Sequence, residues 1–308
     1  MPRATTQMRR FPMIANGLVV ECLLLKLLTI VHNGRIEPAA QFDDRTVGLG
    51  GSGFDDMISL ISGGAEALDA VRRWSDGSMP VGEVDLGSVG YLSPIPRPPK
   101  IICIGLNYRD HAEESNLPIP EVPTVFCKFP TAVTGHNCPV ILPKVSSKPD
   151  YEAEFAVVIG QGGRHIAEHD WRKHVFGYTI LNDVSARDYQ MATSQWMIGK
   201  TFDTFAPIGP AIVTADEIED PHNLDISLRL NGEVLQNSNT RNLIFQIPRL
   251  IAHLSSVFTL EPGDIIATGT PAGVGFARKP PRWLQPGDDM LTHIQGIGDL
   301  HNPIVAEQ

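Results

Sequence analysis

The spacing of apolar and polar positions changes several times along the chain, and the changes mark out its elements. The longest apolar run is Gly17 to Val31, broken by Glu21 and Lys26. It is too short to span a bilayer easily and reads as a buried strand or helix. Ala65 to Trp74 has the spacing of a short helix. Lys100 to Gly105, Glu154 to Ile159 and Tyr178 to Leu181 are compact apolar runs and read as strands. Asp225 to Leu230 alternates, Asn231-Gly232 supplies a type I′ turn, and Glu233 to Gln236 returns, which is a hairpin signal. Leu250, Ile251, Leu254, Val257 and Phe258 share one helical face, with Pro248 suited to the first turn. Glu261-Pro262-Gly263-Asp264 ends that helix and opens a strand over Ile265 to Thr268; a second Pro-Gly-Asp turn lies at Pro286-Gly287-Asp288. No solenoid repeat is evident.

Residues 1–95 have a different texture. Gly48, Gly50, Gly51, Gly53, Gly63 and Gly64 punctuate short apolar pieces, and the stiff linker Pro94-Ile95-Pro96-Arg97-Pro98-Pro99 follows. The pattern predicts a small N-terminal α+β domain over 1–95 and a mixed, β-rich domain over 96–308.

Composition narrows the function classes. With 42% apolar and 19% charged residues, the 308-residue chain is ordinary globular material and long enough to bury a core. A formal charge of −10 without a long basic run argues against nucleic acid and anionic membranes as partners. A small anionic substrate would therefore need a local cation or metal. Cys22, Cys103, Cys127 and Cys138 form no CxxC and read as free thiols of a reducing compartment. That sets the cytoplasm as the first expectation. Arg3, Arg9 and Arg10, with no acid before Glu21, make a mitochondrial presequence the alternative.

Two motifs point to chemistry their surroundings do not support. Gly48-Leu49-Gly50-Gly51-Ser52-Gly53 fits G-x-G-x-x-G, but Asp43 to Val47 is a poor buried strand, so a flexible turn is expected. His165-Ile166-Ala167-Glu168-His169 fits H-x-x-E-H, but it follows Gly160-Gln161-Gly162-Gly163 and reads as a solvated loop.

The stronger chemistry begins at Glu152-Ala153-Glu154. On a strand both carboxylates face one way. At about 4 Å apart they repel by roughly 4 kcal/mol at an effective dielectric near 20. A proton, a basic partner or a metal must offset that. Asp183 follows an apolar strand and precedes the polar turn Val184 to Asp188. Three carboxylates suit Mg²⁺ or Mn²⁺, which prefer hard oxygen ligands. In a helix, His111 and Glu114 are neighbours at i, i+3, and a carboxylate that orients an imidazole makes a general base. Lys200 can hold a substrate carboxylate or an enolate. The turn Thr268-Gly269-Thr270-Pro271 can offer hydroxyl and N–H groups to an anion. Each feature has a plainer reading: a solvated acid pair, a surface helix turn, a salt-bridged lysine, an ordinary turn.

Taken in order, Gly-x-Asn-Tyr-x-Asp-His, Glu-x-Glu, Asn-Asp-Val-Ser-Ala-Arg-Asp, Gly-Lys-Thr-Phe-Asp, Asp-Pro-His-Asn-Leu and Gly-Asp-Ile-Ile-Ala-Thr-Gly-Thr-Pro-Ala-Gly-Val-Gly resemble the fumarylacetoacetate hydrolase superfamily. The closest resemblance is to its short fumarylacetoacetate hydrolase domain-containing proteins, from about Lys100 to Val305. The resemblance implies a β-roll-like α+β fold and a homodimer. It implies Mg²⁺, with Mn²⁺ or Ca²⁺ as alternatives, on Glu152, Glu154 and Asp183. It implies a catalytic pair, His111 with Glu114, on a lid, and Lys200 stabilising an enolate. Tyr108, Arg187, Gln190 and Thr270 would line the substrate site. Larger members carry a further metal-binding Asp where this chain has Gly105-Leu106-Asn107, so three protein carboxylates are expected.

The implied function is a Mg²⁺-dependent enzyme acting on small anionic 2-oxo or 2,4-dioxo acids. C–C hydrolysis of the acylpyruvate or fumarylpyruvate type comes first. Oxaloacetate keto–enol tautomerisation or decarboxylation through the same enolate is the alternative. A catalytically silent metal- or ligand-binding interaction module is the rival from another class; the intact set of site residues speaks against it.

Overall fold

The computed structural model describes residues 12–15, 18–21, 24–43, 45–74 and 82–308. Arg3, Arg9, Arg10 and Cys22 lie outside the described residues. The other three cysteines are free thiols. No helix among the described residues is long and apolar enough to cross a membrane.

One large sheet dominates a mixed α+β fold. Along its main path the strands run Arg45–Gly48, Arg35–Phe42, Leu25–His32, Ala206–Thr214, Val175–Asn182, Ala153–Ile159, Ile265–Ala267, Ile101–Gly105 and Thr124–Lys128. These neighbours pair antiparallel except Ile265–Ala267 with Ile101–Gly105, which is parallel. The sheet runs across the boundary expected at residue 95, because Leu27 pairs with Ile212 and Lys26 with Val213. Within the apolar run from Gly17 to Val31, Leu18–Glu21 and Leu25–His32 are strands.

Both faces of the sheet are covered. Along Ala153–Ile159, residues Ala153, Phe155, Val157 and Ile159 enter one core, and Ala156 and Val158 enter a second. Double burial explains the unbroken apolar run, and the period of two puts Glu154 on the face of Ala156 and Val158. The second core is closed by helices Met57–Ser62 and Gly64–Arg73, through Met57, Leu60, Ile61 and Val71.

The first core is covered by a five-stranded sheet ordered Val140–Leu142, Gly298–Ala306, Asp289–Ile294, Asp225–Leu230 and Glu233–Asn239. Its hairpin turns at Asn231-Gly232, whose φ of 54° and 83° suit a type I′ turn. Helix Ile247–Val257 packs there through Leu250, Ile251 and Leu254. Val257, expected on the buried face, is 65% exposed, because the helix ends there and the chain turns away.

The two weakly supported motifs lie in turns. Arg45–Gly48 does form a strand, contrary to its polar reading, but an antiparallel one at the sheet edge, with Gly51 and Gly53 at positive φ beyond it. His165 also has positive φ, and His169 is exposed in a short 3₁₀ turn.

Candidate functional site

The acids are brought together by strand register. Ala153 lies opposite Asn182 in the ladder between Ala153–Ile159 and Val175–Asn182. Glu152 therefore stands just before one strand and Asp183 just after the other. The Asp183 N–H donates to the Glu152 carbonyl (2.8 Å), and the Glu152 N–H donates to Asn182 Oδ1 (3.0 Å). Carboxylate oxygens of Glu152, Glu154 and Asp183 lie within 4.8 Å of one another, and all three residues are buried.

Three buried bases face them. Lys200 Nζ donates to Glu152 Oε2 (2.6 Å) and Asp183 Oδ2 (2.8 Å). Lys128 Nζ donates to Asp183 Oδ1 (2.5 Å) and the Val184 carbonyl (3.0 Å). Arg187 Nη2 lies 2.6 Å from Glu152 Oε1, and its Nε donates to Asp150 Oδ2 at 2.9 Å. Among the described residues Glu154 has no such base; its Oε2 accepts the Gly269 N–H at 2.8 Å.

Ionisation follows these partners. Burial pushes Glu152 up, but Arg187 and Lys200 outweigh it, and its carboxyl sits well below the usual range. Burial, then the negative charge of Asp183 and Glu152, drives Glu154 well above it. Burial disfavours the charged form of Lys200, yet Asp183 and Glu152 prevail and raise it. Four buried carboxylates, Asp150, Glu152, Glu154 and Asp183, thus face three buried cations, Lys128, Arg187 and Lys200. A proton on Glu154 balances the cluster; a dication in its place would leave one net positive charge. The all-oxygen donor set, with one carboxylate lacking a basic partner, fits a hard divalent ion. Without an ion, the repulsion inherent in Glu152-x-Glu154 is met by bases on Glu152 and by the upward shift of Glu154.

The expected pair lies on helix Arg109–Glu114. His111 Nδ1 is 3.5 Å from Glu114 Oε2, longer than a good hydrogen bond. The Gly273 N–H donates to both Glu114 oxygens at 3.0 Å. Burial raises Glu114, but His111 and the Gly273 N–H outweigh it and hold the carboxyl below its ordinary value. Asp110 ties the helix to Ser238, whose hydroxyl donates to Asp110 Oδ2.

The remaining expected residues differ in how free they are. Tyr108 is fully buried and its hydroxyl has no partner among the described residues. The Thr270 hydroxyl donates to the Ala153 carbonyl (2.9 Å) and accepts from Gln236 Nε2 (2.8 Å). Arg187 Nη1 donates to Gln190 Oε1 at 2.8 Å. Glu152, Glu154, Asp183, Lys200, Arg187 and Gln190 therefore form one connected cluster. His111 and Glu114 join the turn after Thr270 through Gly273.

Two members of the cluster escape the sequence reading, Lys128 and Asp150. Asp150 had a signal: it stands two residues before Glu152, continuing the alternation that pairs Glu152 with Glu154. Lys128 had little, being a single lysine at the end of strand Thr124–Lys128. Asn107 holds the departure noted upstream of the pair: its Nδ2 donates to the Phe245 (3.0 Å) and Thr268 (2.7 Å) carbonyls.

Residues 100–305 match the family model described as the fumarylacetoacetate hydrolase C-terminal domain. A mitochondrial oxaloacetate tautomerase of Bos taurus is 47% identical over 251 residues, covering 81% of this chain and 79% of its own length. A fumarylacetoacetate hydrolase domain-containing protein 2 homolog of Dictyostelium discoideum is 51% identical over 266 residues, 81% of this chain and 85% of its own. Among solved structures, maleylpyruvate hydrolase from Sphingobium sp. SYK-6, in complex with manganese(II) and pyruvate, superimposes with a TM-score of 0.79. It is 32% identical and covers 92% of this chain and 100% of its own.

Proposed function

The chain belongs to the fumarylacetoacetate hydrolase family, and from that premise we propose that this enzyme is an oxaloacetate tautomerase rather than, first of all, a C–C hydrolase. The observation that carries the choice is the 47% identity, over four-fifths of the chain, with a protein that bears that activity in its name. The geometry supports the chemistry that the family's reactions share: a buried, nearly charge-balanced cluster beside a His–Glu pair.

The substrate is a small 2-oxo dicarboxylate. Its enol has a hydroxyl on C2 and a C2=C3 double bond. Conversion to the keto form removes the hydroxyl proton and delivers one proton to C3. Glu152, Glu154 and Asp183 would hold Mg²⁺ or Mn²⁺, which when bound supplies positive charge that favours an enolate over the neutral enol. Lys200 adds charge on the same side and is kept protonated by Glu152 and Asp183. His111 exchanges the proton at C3, and Glu114, held ionised by His111 and the Gly273 N–H, keeps the ring oriented. Tyr108, with its free hydroxyl, together with Arg187, Gln190 and Thr270, lines the substrate side. Helix Arg109–Glu114 serves as the lid, and the active form is a homodimer.

The relatives' names favour mitochondria over the cytoplasm expected from the cysteines. The acid-free stretch carrying Arg3, Arg9 and Arg10 agrees with that.

The test is decay of enol-oxaloacetate absorbance with Mg²⁺ and protein, run beside cleavage of acylpyruvates and CO₂ release. Decay no faster than in buffer, alongside rapid fumarylpyruvate cleavage, would replace the tautomerase with the hydrolase.

A further inference from the structure

Asp150 has no place in the chemistry described so far, yet it is fully buried and every lone-pair direction is used. Its Oδ2 accepts from Arg187 Nε (2.9 Å) and from the Phe276 N–H (2.9 Å), with Arg187 Nη2 at 2.8 Å. Its Oδ1 accepts from the Gly275 N–H (2.7 Å) and the Tyr151 N–H (2.8 Å).

Two arms leave this carboxylate. The first runs through the Arg187 guanidinium, whose Nη2 is ion-paired with Glu152 Oε1 at 2.6 Å, so Asp150 sets the position of the charge that faces a metal-facing acid. The second runs through the turn at residues 273–276. Asp150 accepts two of its N–H groups, and the neighbouring Tyr151 hydroxyl donates to the Gly273 carbonyl (3.1 Å). The Gly273 N–H is the one that grips Glu114. The turn is built for this closeness: a Cβ on Gly275 would come within 2.6 Å of Asp150 Oδ1 and 2.0 Å of the Arg282 carbonyl.

We infer that Asp150 is a positioning residue that sets Glu152 through Arg187 and the His111–Glu114 pair through the 273–276 turn, fixing the acid cluster and the proton-transfer pair from one point. Its kinetic consequence rests on the tautomerase reading; its consequence for metal affinity does not. Groups that orient metal ligands commonly contribute 10–100-fold to affinity or activity.

Two full-length variants separate the arms. Asp150→Asn removes the charge that Arg187 needs. Phe276→Pro deletes one N–H from the turn and a ring 5.8 Å from the Arg187 guanidinium, and leaves the Arg187–Asp150 ion pair, the stronger of the two contacts on Arg187, in place. Mn²⁺ affinity is measured by calorimetry without substrate, and kcat and KM for enol-oxaloacetate at saturating Mg²⁺. Asp150→Asn is expected to weaken Mn²⁺ binding about 10–100-fold and to lower kcat by a similar factor, with KM rising as well because Arg187 lines the substrate side. Phe276→Pro is expected to lower kcat about tenfold and to keep Mn²⁺ affinity within about twofold. Wild-type affinity and kcat in Asp150→Asn would overturn the inference. If Asp150→Asn does not fold, an unchanged kcat in Phe276→Pro overturns it. If the wild type turns over a different 2-oxo acid, kcat is read on that substrate and the Mn²⁺ arm stands unaltered, so the two failures look different.

Discussion

Replacing Glu154 with glutamine separates the proton that balances the ion-free cluster from the ion that would displace it. In the ion-free protein Glu154 is pushed well above the usual carboxylate range and accepts one N–H, from Gly269. Glutamine presents a neutral oxygen of nearly the same shape to that N–H. Near pH 4.5 the variant should therefore match the wild type to within about 1 kcal/mol. The sign at higher pH follows from linkage. The folded state holds a proton on Glu154 that the unfolded state releases above about pH 4.5. Wild-type stability thus falls by about 1.4 kcal/mol per pH unit from there until the raised folded pKa is passed. Glu154→Gln lacks that loss and should be the more stable protein at pH 8 without metal.

Added Mg²⁺ acts in the opposite sense. At a hundred times Kd it stabilises the wild type by about 2.7 kcal/mol. An unfolding entropy near 2.1 cal/mol/K per residue gives about 0.65 kcal/mol/K for 308 residues, so Tm should rise by about 4 °C. Glu154→Gln should show little of that rise. Scanning calorimetry of chelator-stripped protein at pH 5, 6.5 and 8, with and without Mg²⁺, tests both parts. An equal Mg²⁺ shift in the two proteins, or parallel ion-free pH slopes, would refute the reasoning.

Other consequences are simpler to measure. His111→Gln should lower tautomerisation kcat by about 10²–10⁴ while leaving Mn²⁺ affinity near wild type by calorimetry; a collapse of affinity would place His111 on the metal side of the site. Lys200→Met leaves Glu152 and Asp183 each short of a buried partner and should destabilise the ion-free protein by about 3–5 kcal/mol in urea unfolding, with much of that recovered in saturating Mg²⁺. Ile251→Ala, in the middle of helix Ile247–Val257, should cost about 2–5 kcal/mol through the cavity it leaves, with Mn²⁺ affinity unchanged.

Legibility in the sequence followed the range of the physics involved. The hairpin at Asn231-Gly232 was readable because its turn is specified by two adjacent residues. Helix Ile247–Val257 was readable from its own periodicity, apart from Val257 at its end. Glu152 and Glu154 were readable as a pair, because two charges on one face of an apolar strand need an explanation. Their solution was not. Lys128 reaches Asp183 from 55 residues away, and nothing near a lone lysine at a strand end announces that. The sheet's passage across residue 95 was hidden for the same reason, since the partner of Leu27 is Ile212. The choice among hydrolysis, decarboxylation and tautomerisation was hidden for another: one enolate serves all three, so the same residues are required by each.

The pairing of Leu25–His32 with Ala206–Thr214 bears on what a shortened protein would do. Cutting the chain at residue 96 would keep the acids, the bases and the His–Glu pair. It would also uncover the backbone edge of Ala206–Thr214 along Ile212 and Val213 and strip the cover from Ala156, Val158 and Leu181. A bare edge beside bare apolar surface is a template for strand addition between molecules. The opening third of the chain thus shields the sheet that carries the chemistry, and a fragment without it should aggregate before its activity could be judged.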